Sequence, residues 1–294
     1  MKRPPSRSLL NHSKLIRFKR TVGIFIQLFL MVLLIGLSSC KEKVEGCMDV
    51  TAANWNASAD KSCDDCCTFP SLIVRIDHMY GDTSLLYDSL YTDAADKPFF
   101  IAGIRYYLSG FNLDDGIESL GVNDSLDVEL ITLSGNEEET LEDNFALVSR
   151  SITSKTIGTF ENSDITTDSL FFVFGLNQAA NQVDPASVSS PHPLAIDSDT
   201  MYVNEDEHYI FAKLSIVPDT MSMDTVVYTI TGNNNLREIR LLWERDLERG
   251  VNITVPLVAD YQKWFAGINF VTDSDDSIKE QIVNNLTEAF TIQE

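Results

Sequence analysis

Histidine is scarce in this chain, and cysteine is confined to one short stretch. The 294 residues include only four histidines, and all five cysteines lie between positions 40 and 67. The sequence also lacks the short motifs that carry hydrolytic, nucleotide-binding or zinc-protease chemistry. We therefore expect no catalytic residues and a protein that is not an enzyme.

Acidic residues are missing from the first 39 positions, which hold seven of the 22 basic residues. An uncharged apolar run from Val22 to Leu37 follows these basic residues. A basic segment followed by a short apolar run is the order of a secretory signal peptide. A membrane-spanning helix needs about twenty apolar residues, so a permanent transmembrane anchor is the weaker interpretation.

The apolar run ends in Leu37-Ser38-Ser39-Cys40, which resembles the bacterial lipobox. In that motif the cysteine becomes the acylated N-terminus after cleavage. We predict a signal peptide at 1–39, lipidation of Cys40 and a tether at 40–46, with the lipid bilayer of the outer membrane as partner. The charged residues after Cys40 resemble the lead sequence of surface lipoproteins of Bacteroidetes, and either the periplasmic or the surface-exposed face of this cell-envelope location is open.

The predicted mature chain is strongly acidic. Removal of the signal leaves 15 basic against 44 acidic residues, a net charge of about −29. Such a chain repels phosphate backbones and anionic lipids, so we expect no nucleic-acid partner and an anchor made by acyl chains. Metal cations are its natural small partners.

Four cysteines, Cys47, Cys63, Cys66 and Cys67, mark a small module at 47–70. Two disulfides are expected in an oxidising compartment. A bond between the neighbours Cys66 and Cys67 has unfavourable geometry, so we expect Cys47 to pair with Cys66 or Cys67. The stretch from Gly46 to Pro70 resembles a cysteine-bounded module of secreted Bacteroidetes proteins. Its Asn and Asp side chains fit either a calcium loop or a stapled spacer with turn-forming residues, and we favour the spacer.

Residues 71–294 read as short apolar or alternating runs separated by Gly, Asn, Asp, Ser and Pro clusters, which are strand and turn signals. One helix is predicted at 277–290, with Ser277 and Glu280 in capping-box spacing. We therefore predict an all-β fold, an antiparallel β-sandwich with a C-terminal helix. The predicted strands are 72–76, 99–113, 126–133, 145–148, 170–176, 208–217, 225–231, 236–243 and 251–257.

Three stretches of this region stand out: Ile76-Asp77-His78 with Asp96 to Leu113, then His192-Pro193-Leu194 with Met201-Tyr202 and Tyr209 to Leu214, and finally Tyr228 to Gly232. Together they resemble the MbnP-like domain, a family named for a periplasmic copper-binding protein associated with methanobactin. The resemblance implies a β domain in the cell envelope.

The resemblance implies copper, which prefers imidazole nitrogen or soft sulfur ligands. His78 matches a family histidine, whereas Thr229 stands where the family has a second one, and His208 occupies a usual glycine position. His78 and His208 are therefore the candidate metal ligands, with methionines such as Met201 and Met223 as soft donors or core fillers. We favour a non-catalytic binding protein, with copper as the ligand that the resemblance implies. The alternative is a structural or interaction module that binds a surface protein or glycan without metal, and a hydrolase is the third and least favoured function.

Overall fold

The computed structural model describes residues 42–293 except positions 88, 118, 161–164, 197–200, 205 and 207. The predicted signal peptide and Cys40 lie outside the described residues. Within those ranges, none of the helices has the length and apolar character required to cross a bilayer.

The first described unit is the cysteine module, in which strand β1 (Glu45–Gly46) pairs in parallel with β2 (Lys61–Ser62). Disulfides join Cys47 to Cys67 and Cys63 to Cys66. The first bond is one of the two predicted for Cys47. The Asn54 side chain bridges the module, because its Nδ2 donates to the Cys66 carbonyl at 2.6 Å and its Oδ1 accepts from the Thr68 N–H at 2.9 Å. This use of an Asn side chain agrees with a stapled spacer.

A large sheet of eight strands forms one layer of the domain. Its path runs β14, β13, β6, β12, β15, and three shorter strands pair with β6 outside this path. The long strand β6 is central because most of the other strands pair with it directly. The bounds are β5 Leu90–Thr92, β6 Pro98–Asp114, β7 Ser119–Leu120, β10 Phe145–Ser149, β12 Ile165–Phe174, β13 Ile210–Val217, β14 Val226–Thr231 and β15 Arg237–Leu247.

A second sheet, called the small sheet here, forms the other layer and runs β11, β3, β16, β17, with β4 paired to β3. Strands β3 and β16 pair in parallel, although most other pairs are antiparallel. Parallel neighbours need a long crossover, and here most of the large sheet lies between the two strands in sequence. The bounds are β3 Ser71–Tyr80, β4 Thr83–Ser84, β11 Ser154–Thr159, β16 Ile253–Asp260 and β17 Phe290–Ile292.

Alternating side chains of the two sheets fill the core between them. In β3 the residues Leu72, Val74, Ile76 and His78 are buried, and the positions between them are more exposed. Tyr106 and Leu214 of the large sheet are fully buried as well. This two-residue period confirms the predicted all-β sandwich.

Short helices and one hairpin complete the domain: α1 (Gln178–Asn181), α2 (Tyr261–Trp264), α3 (Asp275–Asn285) and the hairpin of β8 (Ser125–Thr132) with β9 (Gly135–Glu142). The predicted bounds of the last helix were wrong. Ser274, and not Ser277, caps the helix by accepting a hydrogen bond from the Ser277 N–H. Phe290 contributes to the core from strand β17, because a short 3₁₀ turn ends the helix before it.

All nine predicted strands have counterparts in the structure, and the strands missed from sequence are polar or very short. Strand β9 carries Glu137, Glu138 and Glu139, whose side chains are exposed on the hairpin. Strand β11 contains a β-bulge between Thr156 and Gly158. Neither strand has the continuous apolar alternation that identifies a strand from sequence alone.

Candidate functional site

His78, the histidine that matches the family position, lies inside the sandwich. It stands on the inward face of β3 and is 8% exposed. Its Nδ1 is 2.7 Å from the Tyr261 hydroxyl, and its Nε2 is 2.8 Å from the Ile152 carbonyl oxygen. Both ring nitrogens therefore have hydrogen-bond partners within the protein.

The direction of these hydrogen bonds follows from their chemistry. A carbonyl oxygen only accepts, so Nε2 carries the proton and donates to Ile152. In the neutral ring Nδ1 then accepts from the Tyr261 hydroxyl. The Tyr106 hydroxyl, 3.2 Å from that of Tyr261, donates in turn to the Tyr261 oxygen. Burial lowers the pKa of His78, which keeps the imidazole neutral as this arrangement requires.

Thr229, at the second family position, lies on the opposite face of the large sheet. Its neighbours in β14, Tyr228 and Ile230, are buried in the core, so Thr229 points away from the small sheet. Thr229 pairs across the sheet with Lys213 of β13. The two family positions therefore face opposite sides of the large sheet, with His78 between the sheets and Thr229 outside.

His208 belongs to a tight turn that leads into β13. Its backbone has φ of 58°, the left-handed region that is uncommon for residues other than glycine. The His208 N–H donates to the Asn204 carbonyl, and the His208 carbonyl accepts from the Val203 N–H. Its ring Nδ1 is buried and has no hydrogen-bond partner among the described residues. His208 thus occupies a position where the backbone conformation favours glycine.

The methionine candidates are divided between the core and the surface. Met201 is 3% exposed and packs in the core. Met221 and Met223 are exposed in the connection between β13 and β14. Within the described ranges, no group of three or more His, Cys, Asp or Glu side chains is placed to hold a metal ion. These residues do not fit a copper site built on His78, because its nitrogens already have partners.

A polar cavity, called the outer cavity here, lies on the face of the large sheet that points away from the small sheet. Its volume is about 650 Å³. It is lined by residues of β6, β10, β11 and β13, of the turn after β10 and of the loop at 191–193, together with Tyr87. Its lining includes Arg105, Lys155 and Lys213, the hydroxyls of Ser149, Ser151 and Ser215, and His192.

The 191–193 loop is attached to the sheet by side-chain hydrogen bonds. The Tyr107 hydroxyl donates to the Pro193 carbonyl at 2.9 Å, and the Tyr209 hydroxyl donates to the Leu194 carbonyl at 2.6 Å. The His192 Nδ1 accepts from the Leu194 N–H at 3.1 Å, so its Nε2 donates to Asp143 Oδ1 at 2.9 Å. His192 therefore holds the loop in place through both ring nitrogens.

Sequence reasoning missed the outer cavity. Its cations are separated by 50 and 58 positions along the chain, so no local motif contains them. A usable signal was present in the strands themselves, since Arg105 and Lys213 interrupt two strongly apolar runs in a domain with few basic residues.

The fold is thus a two-layer β-sandwich domain with a candidate ligand cavity on its outer face. A family model described as MbnP matches residues 70–283, and the chain belongs to the MbnP family. Among solved structures, "MbnP from Methylosinus trichosporium" is similar at 13% sequence identity and a TM-score of 0.41, covering 67% of this chain and 78% of that chain. No curated protein is similar enough in sequence to count as a match.

Proposed function

We propose that this chain is a non-catalytic binding protein of the cell envelope, anchored to the outer membrane by acyl chains on Cys40, with its ligand site in the outer cavity. The single observation that supports a binding role best is this cavity of about 650 Å³, which has the size of a small-molecule site. Two disulfides in the adjacent module suit an oxidising compartment outside the cytoplasm.

The hydrogen bonds in the outer cavity favour binding over hydrolysis. A serine nucleophile needs a base within hydrogen-bond reach. The Ser149 and Ser151 hydroxyls instead bond to each other at 2.9 Å. Both nitrogens of His192 are used by Leu194 and Asp143. Among the described lining residues, neither Ser149 nor Ser151 is therefore paired with a base that could activate it.

Copper is the ligand that family membership implies, and the proposal does not assign it to His78. Copper binding at His78 would require the imidazole to give up Tyr261 or Ile152, and a buried polar group without a partner costs about 1–3 kcal/mol. Thr229 adds only a hydroxyl, on the far side of the large sheet. The structural or interaction role is the alternative proposal, in which a surface protein or glycan takes the place of a small ligand.

The anchor is tested by Cys40→Ser in the full-length chain, expressed with its signal in a bacterium and labelled with a palmitate analogue. We expect the unchanged protein to carry the label and to sediment with outer membranes. The variant should be unlabelled, because it lacks the sulfur that receives the acyl chain. Cys47→Ser is the matched control, since it removes a cysteine of the module and should leave the label intact. Labelling of the Cys40→Ser protein would contradict the anchor.

A further inference from the structure

We infer that the outer cavity binds small organic anions that carry carboxylate or phosphate groups. This inference rests on the proposed binding function and names the ligand class of the same cavity. It follows from the sheet register, which places basic side chains next to each other in a protein that is otherwise acidic.

The register places two cations side by side. Arg105 of β6 is directly opposite Lys213 of β13 and, on its other edge, opposite Ser149 of β10. Residues opposite each other in neighbouring strands project from the same face, here the face that carries Thr229. Both side chains therefore line the outer cavity next to each other.

A third cation, Lys155, reaches the same cavity from the small sheet. It lies on β11, opposite Val74 of β3, and is half-buried. Lys155 has no ion-pair partner among the described residues, whereas Arg105 and Lys213 do have partners in the protein. The inference therefore depends on the sign of the charge gathered at the cavity and does not require Arg105 or Lys213 to be unpaired.

The charged residues in the described lining of this cavity have the opposite sign to the net charge of the whole chain. After the predicted signal the chain has 15 basic and 44 acidic residues. Three of these basic residues line the outer cavity, and none of its described lining residues is Asp or Glu. Asp143 stands behind His192 and is bonded to it. A cleft lined by one sign of charge focuses the electrostatic field and concentrates ligands of the opposite sign.

The remaining groups of the wall suit an organic ligand. Arg105 presents a planar fork that matches both oxygens of a carboxylate or phosphate. The Ser215 hydroxyl and the one hydrogen left over in the Ser149–Ser151 pair supply neutral donors. Leu147 and Pro193 add apolar surface for a carbon skeleton. The volume exceeds what a bare inorganic ion needs, so we expect an organic anion to bind more tightly than inorganic phosphate.

The test uses the full-length protein purified in detergent and calorimetric titration with citrate and with glycerol 3-phosphate, at low and high salt. Inorganic phosphate and neutral glycerol are the comparison ligands. We expect saturable one-to-one binding of at least one organic anion, weaker at high salt and undetectable for glycerol. Citrate alone would assign a carboxylate ligand, and glycerol 3-phosphate alone a phosphate ligand.

Two variants locate the binding site. Lys155→Gln and Arg105→Gln should each weaken binding of the organic anion by about tenfold or more, the magnitude expected when one charge-assisted hydrogen bond is lost. Lys279→Gln, which removes a cation on α3 paired with Asp276, is the matched control and should leave binding unchanged. Lys155→Gln also covers the case in which Arg105→Gln does not fold, because Lys155 lies on an edge strand.

Absence of saturable binding by both organic anions, or an equal loss in Lys279→Gln, would overturn the inference. Equal affinity for inorganic phosphate and both organic anions would overturn the organic part of it. Acylation of Cys40 in the same preparation separates the two proposals. If Cys40 carries the lipid and neither organic anion binds, the proposed anchor is supported and the proposed anion site is refuted.

Discussion

The region around His78 and the outer cavity lie on opposite faces of β6, and they are built in opposite ways. Tyr106 and Arg105 are adjacent in that strand: the Tyr106 hydroxyl bonds to Tyr261, which is the partner of His78, and Arg105 lines the cavity. The His78 imidazole is almost fully buried, and its ring nitrogens bond to Tyr261 and Ile152, although a surface pocket bordered by charged residues such as Asp77 and Arg150 lies beside it. The outer cavity is open and positively charged. The difference teaches that neighbouring residues of one strand can serve two purposes, with one face packed into the core and the other lining a cavity.

The comparison predicts that His78 matters chiefly for stability. His78→Ala leaves the Ile152 carbonyl without its donor and the Tyr261 hydroxyl without its acceptor, and it creates a cavity in the core. We expect a loss of about 2–4 kcal/mol in the free energy of unfolding. Thr229→Ala, at the other family position, should change it by less than about 1 kcal/mol, since Thr229 is only half-buried. Urea denaturation of both variants measures the difference. An equal loss of unfolding free energy in the two variants would contradict a structural role of His78 in the core.

A smaller effect is expected from protonation of His78. The folded protein lowers the pKa of this side chain below the ordinary value of about 6.5, so both states are neutral above that pH and the full stability is present. As the pH falls below about 6.5, the unfolded chain binds a proton before the folded one does. Stability therefore decreases until the pH reaches the folded pKa, with a slope of at most about 1.4 kcal/mol per pH unit.

His78→Gln isolates this contribution, because an amide can donate to Ile152 and accept from Tyr261 but does not titrate in this range. The difference in unfolding free energy between the unchanged protein and His78→Gln should vary with pH below about 6.5 and be constant above it. Carboxylates titrate in both proteins and largely cancel in the difference. A difference that stays constant down to pH 5 would show that His78 takes up its proton equally in both states.

The smallest effect is expected for the affinity for copper when His78 is replaced. Titration with Cu(I) against a competing chelator should give the same weak binding in the unchanged protein and in His78→Gln, since both imidazole nitrogens have partners. His208→Gln serves as the parallel variant for the second candidate ligand. A one-to-one complex that disappears in His78→Gln would reverse the comparison and make the core position the ligand site.

Much of the fold could be predicted from the sequence because buried strands carry a local signal. In β3 and β6 apolar residues recur with the strand period, and both strands were predicted near their observed positions. Strand β9 was missed because its side chains are exposed and acidic, so no buried face marks it. The predicted start of the helix was misplaced because Ser277 and Ser274 both precede an apolar run. Only the folded backbone shows that Ser274 is the cap.

The candidate site was predicted less well, because its residues meet only through the sheet. His78 was identified from its neighbours in sequence, but its hydrogen bonds to Ile152 and Tyr261 join residues 74 and 183 positions apart. Likewise, nothing local to Arg105 indicates that Lys213 stands opposite it.

The sequence by itself determined the all-β character of the domain, the cysteine module and the similarity to the MbnP family, since each depends on short-range patterns of residue type. The tertiary structure alone decided that Cys47 pairs with Cys67, that His78 is enclosed and that three cations share one cavity. The physical reason is strand pairing: register brings distant residues onto one face, and a side chain one position further along the strand points to the other.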